Sequence, residues 1–176
     1  MKVLRGIHFP FFVLLLVVFT ANSASSQSHS NIEILLQDAR FSILAEALEK
    51  AGMMGVFDEK SSTTLFAPTN EAFGNFFKRM SVTSLSELSA DQLRPILMFH
   101  IAGHKIPSAG LYPGSIETLN KNAGLSVKIE GENVILNNDT GIVTKDIKTT
   151  NGFIHAIDRV MIPHIRSNKE SGSGHC

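Results

Sequence analysis

Apolar positions recur at intervals of three and four from Ile32 through Leu35, Leu36, Ala39, Ile43, Leu44 and Ala47 to Leu48. That spacing predicts one amphipathic helix, or two with a break near Asp38–Phe41, and Gly52 supplies a stop. Met53–Phe57 is then expected to pack ahead of a charged, serine-rich loop at Asp58–Ser62. Thr64–Ala67 is a short β-prone run that Pro68 ends. Thr69 is placed to cap a helix opening with Asn70 and Glu71, where a carboxylate suits the positive end, and that helix carries Phe73, Phe76 and Phe77. Ser89-Ala-Asp-Gln92 has the form of a capping box, with Leu88 and Leu93 as its hydrophobic staple. Pro95 falls beyond the first turn of that helix and predicts a kink or a division into two pieces. Ile96–Ile101 is apolar and reads as buried, and Gly103 ends it.

From Lys105 onward the period shortens. Ser115–Leu119, Leu125–Ile129, Val134–Leu136, Ile142–Ile147 and Phe153–Ile157 read as strands, with Gly131 in a tight turn between the second and third. Thr149-Thr-Asn-Gly152 forms the turn before the last, in which Phe153, His155 and Ile157 alternate with Ile154, Ala156 and Asp158. Helices gather in the first half and strands in the second, which argues an α+β domain present in a single copy.

The ends change the picture of where this domain goes. Residues 1–24 read as a cleaved secretory signal peptide, with Lys2 and Arg5 ahead of the apolar run Ile7–Phe19 and with Ala21, Ser23 and Ala24 for cleavage. The competing reading is a membrane anchor, but the run is thirteen residues and contains Pro10, whereas a span takes about 20. Residues 25–30 are polar and expected to be flexible, and 167–176 form a polar, glycine-rich tail expected to be disordered. No later segment is apolar enough to span a bilayer, and no C-terminal apolar tail suggests a lipid anchor. Removing Lys2 and Arg5 leaves 14 basic against 16 acidic residues, a formal charge of −2. The cations are scattered, which argues against a nucleic-acid partner. Cys176, the single cysteine, excludes an internal disulfide and offers a route to a covalent homodimer; the alternative is a solvated tail thiol.

The stretches Thr64-Leu-Phe-Ala-Pro-Thr-Asn-Glu-Ala-Phe73 and Asn151-Gly-Phe-Ile-His-Ala-Ile-Asp-Arg-Val-Met-Ile-Pro163 resemble the two signature stretches of the fasciclin domain, an extracellular adhesion module. Phe41–Gly52 looks like the family's opening helix, Leu97-Met-Phe-His100 stands where the family has a Tyr-His pair, and Gly114 with Thr118-Leu119 falls at the expected place downstream. The resemblance covers Asn31–Arg166 and implies a domain over 31–166, with a wedge-shaped β-structure and helices packed on one side. It marks Thr64, Phe66, Ala67, Pro68, Thr69, Asn70, Phe73, His100, Asn151, Gly152, His155 and Asp158 as the structural motif. It further implies that the His100 ring bonds the backbone and ties helix to sheet. Phe99 stands in place of the family's tyrosine, so the hydroxyl is absent.

The resemblance also points to Asp146-Ile147, a dipeptide implicated in integrin binding in adhesive relatives. An exposed carboxylate there would complete a receptor's divalent-metal site. Lys145 and Lys148 flank it, and a solvated strand is the alternative. Asn138-Asp-Thr140 is an N-glycosylation acceptor in a polar turn, or else an unmodified turn in which the side chains serve the backbone. His100 and His104 have a metal-like spacing, but Gly103 intervenes and no glutamate stands between them, so no metal site is expected. No Gly-x-Ser-x-Gly elbow, phosphate-cradling loop or catalytic carboxylate pair is present, so neither an enzyme nor a cofactor is expected. Most of the phenylalanines should be core; Phe76-Phe77 is a candidate exposed contact patch, with ordinary packing as the alternative. The expectation is a secreted module of the extracellular matrix that binds a cell-surface receptor or a matrix protein. Carriage of a hydrophobic small molecule or lipid, and structural incorporation into a secreted or mineralised matrix, are the alternatives.

Overall fold

The computed structural model describes residues 29–58 and 60–163. The expected signal peptide at 1–24, the expected tail at 167–176 and Cys176 lie outside the described residues. Among the described residues, four α-helices, α1 (Asn31–Gln37), α2 (Ser42–Lys50), α3 (Asn70–Met80) and α4 (Ala90–Phe99), accompany seven strands. These are β1 (Thr63–Pro68), β2 (Ile101–Ala102), β3 (Gly114–Ile116), β4 (Leu125–Glu130), β5 (Asn133–Leu136), β6 (Thr140–Lys148) and β7 (Gly152–Ile157). They form one mixed sheet in the order β2-β1-β7-β6-β5-β4-β3. Among the described strands only the β1–β7 pair is parallel, with Thr64 opposite Phe153 and Phe66 opposite His155. The two signature stretches are thus neighbours at the centre of the domain.

Local chemistry explains most helix ends. The break between α1 and α2 falls at Asp38, whose carboxylate accepts from the Arg40 amide. α2 closes on Gly52 at φ +66°, with the Gly52 amide donating to Glu49 O and the Met53 amide to Leu48 O. Those two bonds satisfy carbonyls that a helix end leaves free. Thr69 caps α3 by accepting from the Ala72 amide, and Ser89 and Gln92 form the reciprocal box on α4. A second box, Ser30 with Glu33, starts α1.

Three expectations need correction. α4 is not divided into two pieces at Pro95, which lies within one continuous helix. The carbonyl deprived of a partner is that of Asp91, in the exposed first turn, while the carbonyl of Pro95 accepts from Asn120 Nδ2 at 3.0 Å. The flexible segment does not extend to residue 30: Ser30 is buried in its capping box and the carbonyl of His29 accepts from the Thr150 amide. The expected strand Ser115–Leu119 ends early, at Ile116 of β3, and the Leu119 and Asn120 amides turn away to Ile101 O and Met98 O.

The two faces of the central strands bury into two clusters. Leu65 and Ala67 of β1 and Ile154 and Ala156 of β7 pack with the helical residues Phe41, Leu44, Leu48, Phe73, Leu93 and Leu97. Phe66 and Ile157, on the other face, meet Phe99, Leu125, Val127, Leu136 and Met161. Burial on both faces is why β1 reads as a continuous run and not as an alternation. Phe76 belongs to the first cluster at 3 % exposure and the partly buried Phe77 packs against it, so of the two alternatives for Phe76-Phe77 the fold takes packing.

Candidate functional site

At the centre of the sheet, β1, β7 and β6 jointly fasten the segment 104–110. The Thr64 hydroxyl donates to His104 O at 2.8 Å and accepts from the Ile106 amide at 2.7 Å. Two residue pairs along, His155 Nε2 donates to Ile106 O at 2.8 Å, and its Nδ1 accepts from the Asp146 amide at 3.2 Å. Those partners assign the neutral Nε2–H tautomer. The ring stacks on Phe66 (centroids 5.6 Å apart) and lies nearly parallel to Phe153. Burial holds its pKa below the ordinary histidine value, against the opposing effects of the Ile106 carbonyl and Asp146.

Asp146 sits at φ +57°, in the irregular stretch of β6 between the Thr144 and Ile147 pairings with β7. This backbone aims its carboxylate at Ser108, whose amide donates at 2.7 Å and whose hydroxyl donates to the other oxygen. Burial opposes ionisation, but the Ser108 bonds, with His155 and Lys148, outweigh it and lower the pKa. Ile147 is partly buried and packs on the first core cluster. The dipeptide is therefore not the free, exposed pair that receptor coordination asks for: its carboxylate holds the 104–110 segment and its isoleucine faces inward. Ser108, Asp146 and His155 do not make a nucleophile relay either. The serine proton goes to the carboxylate, and both ring nitrogens are spent on backbone groups.

The other motif residues are also fasteners. His100 Nδ1 donates to Ile96 O at 2.7 Å and Nε2 accepts from the Met161 amide at 3.0 Å, which ties the end of α4 to the chain beyond β7. Burial pushes its pKa down to about 4. With both ring nitrogens bonded, His100 has nothing to offer a metal alongside His104. Asn151 Oδ1 accepts from the Asn31 amide at 2.9 Å, and its Nδ2 reaches Phe57 O and Asp58 O, each at 3.2 Å. Asn31 Nδ2 donates to Thr63 Oγ1 at 2.8 Å and Asn31 Oδ1 accepts from Thr149 Oγ1. A Cβ on Gly152 would lie 1.6 Å from Thr63 O, so only glycine fits there. Asp158 Oδ1 accepts from the Gly141 amide at 2.8 Å, Thr69 N–H donates to Ile157 O where Pro68 faces Ile157, and Asn70 joins Ile43 N, Ala39 O and Ser42 Oγ. Ala67 and Phe73 are core. Sequence reasoning missed Asn31, Thr63, Thr149 and the serine partner Ser108. Ser30-x-x-Glu33 was the one local signal for the extra start.

The exposed features lie elsewhere. An open groove of about 730 Å³ between α3 and β6 is lined by Arg40, Arg79, Arg159, Glu71, Asp158 and Val143, among others. Arg40 pairs with Asp38 at 2.7 Å and Arg159 with Asp139 at 3.6 Å, whereas Arg79 donates to Val160 O. Val143 is 58 % exposed. An adjoining groove of about 470 Å³ shares Arg79 and Val160 and is walled by Asn137, Asn138 and Asp139.

A family model described as the fasciclin domain matches residues 39–163. Protein sll1483 of Synechocystis is 29 % identical over 143 residues, covering 81 % of this chain and 78 % of its own length. Human periostin is 30 % identical over 132 residues, covering 74 % of this chain and 16 % of periostin. The transforming growth factor-beta-induced protein ig-h3 of Sus scrofa is 29 % identical over 144 residues, 80 % of this chain and 20 % of its own. The chain therefore spans a fifth or less of these two animal relatives. The solved FAS1 domain pair from the insect cell adhesion molecule fasciclin I shares the fold at a TM-score of 0.66 and 17 % identity, over 76 % of this chain and 51 % of that one.

Proposed function

The chain belongs to the fasciclin domain family, and from that premise we propose that it is a secreted, non-catalytic adhesion module that binds a receptor or matrix component outside the cell. The observation that carries this reading is the division of labour in the fold. The motif residues are engaged by internal hydrogen bonds and packing, so what remains for a partner is the outer surface. The groove between α3 and β6 is the contact face we favour. It combines arginines with an exposed apolar residue, a composition enriched where proteins bind one another. A single domain supplies one contact, and pairing through Cys176 would supply the second that avidity needs. Carriage of a lipid receives no support, since buried side chains pack both faces of the central strands.

The test is cell attachment to the immobilised domain, with and without a divalent-cation chelator, for the wild type and three variants. Attachment should fall for Arg79→Ala and survive Ser108→Ala. Asp146→Ala should lose attachment only to the extent that it loses fold, read by circular dichroism. Attachment that Ser108→Ala leaves intact but a folded Asp146→Ala abolishes, together with chelator, would move the contact back to Asp146-Ile147. A folded wild-type domain to which neither cells nor matrix proteins attach would sink the adhesive reading.

A further inference from the structure

We propose that Asn138 carries an N-linked oligosaccharide and that it is attached before the β5–β6 hairpin closes. The inference rests on the secretory reading above. Asn138-Asp139-Thr140 has the acceptor spacing, and the fold treats its two reactive side chains in opposite ways. Asn138 is exposed at the second central position of the tight turn Leu136–Asp139, closed by the Asp139 amide on Leu136 O at 3.2 Å. Asn137 and Asn138 have φ of +49° and +74°, the left-handed pair that such a hairpin turn requires and that asparagine tolerates. Asn137 is tied down by its amide on Ile162 O. Among the described residues, no side-chain hydrogen bond engages Asn138, so a sugar there displaces nothing. Thr140, in contrast, is fully buried, with its hydroxyl on Asp139 Oδ1 at 3.2 Å.

The acceptor is read through its third-position hydroxyl as well as its amide, and in the folded domain that hydroxyl is inside. The transfer therefore belongs to the unfolded chain. The Asn138 amide nitrogen bonds to C1 of a lipid-pyrophosphate-linked oligosaccharide as the C1–O bond breaks. The lipid pyrophosphate leaves with the electron pair, and the amide nitrogen gives up one proton. Once the chain folds, the exposed turn holds the sugar outside without repacking the core.

Two measurements test this. The full chain made in secreting eukaryotic cells should show one glycosidase-sensitive mass increment, kept in Thr140→Ser and lost in Asn138→Asp, a change that suits the same backbone. The same chain behind an established leader separates the two premises. Export without the increment overturns the Asn138 site. An increment seen only behind that leader supports the site while overturning secretion by the native N-terminus. Then folded wild-type chain and the unfolded Gly152→Ala chain, both lacking sugar, are offered to solubilised transferase with lipid-linked donor. Transfer to the folded chain should be lower by at least about a hundredfold, since a stable domain is rarely unfolded. Equal transfer to both would overturn the order of events.

Discussion

The β1–β7 centre and the β5–β6 rim use the same kinds of residue for opposite purposes. At the centre, asparagines, threonines and histidines are buried and every one is bonded: Asn31, Asn151, Thr63, Thr64, His100 and His155. At the rim, Asn138, Val143 and Lys145 face solvent. The outer side of β6 is also only briefly paired, since β5 meets it at Thr140 and Gly141 alone. Two register irregularities, the αL residue Asp146 and the flanking lysines twist and charge that open stretch, devices that protect strand edges from unwanted pairing. The contrast teaches that in this domain the buried signature residues mark where the chain is fastened, whereas the exposed Asn138, Val143 and Lys145 of the rim lie outside both signature stretches.

The largest break in that comparison is at Gly152. Replacement by alanine drives a Cβ into the Thr63 carbonyl, and we expect more than about 3 kcal/mol of destabilisation, seen as loss of the cooperative urea transition. Next is acid. Burial holds the His100 pKa near 4, below 6.5, so between those values the unfolded chain binds the extra proton. Stability is complete above about pH 6.5 and is lost as pH falls toward 4, by about 3 kcal/mol for this group. Denaturation midpoints at pH 7 and pH 4.5 measure it, and His100→Gln should flatten the slope at a lower overall stability. Asn151→Ala strands the Asn31 amide and two carbonyls and should cost about 2 kcal/mol. Val143→Asp, at the rim, should shift stability by no more than about 0.5 kcal/mol while weakening attachment. A large loss of stability from Val143→Asp would erase the distinction between the two regions.

Much of the site was legible because the resemblance named its residues, and the structure gives each a bond or a packing partner. What could not be read was the use to which identical side chains are put. Asp146-Ile147 reads the same whether the carboxylate faces solvent or Ser108, which is 38 positions away in sequence. Phe76 and Phe77 could have faced outward until the packing of α3 on the core turned them in.

Taken alone, the sequence determined what short-range chemistry controls. Thr69, Ser89 with Gln92, and Gly52 set helix ends within a few residues of themselves, and hydrophobic spacing set the α+β class. Tertiary structure alone decided the parallel pairing of β1 with β7, the burial of Asn31 under Asn151 and the engagement of Asp146. Each depends on which distant group arrives opposite. A polar side chain carries the same hydrogen-bonding capacity in water as in the core, so only the fold selects its partner.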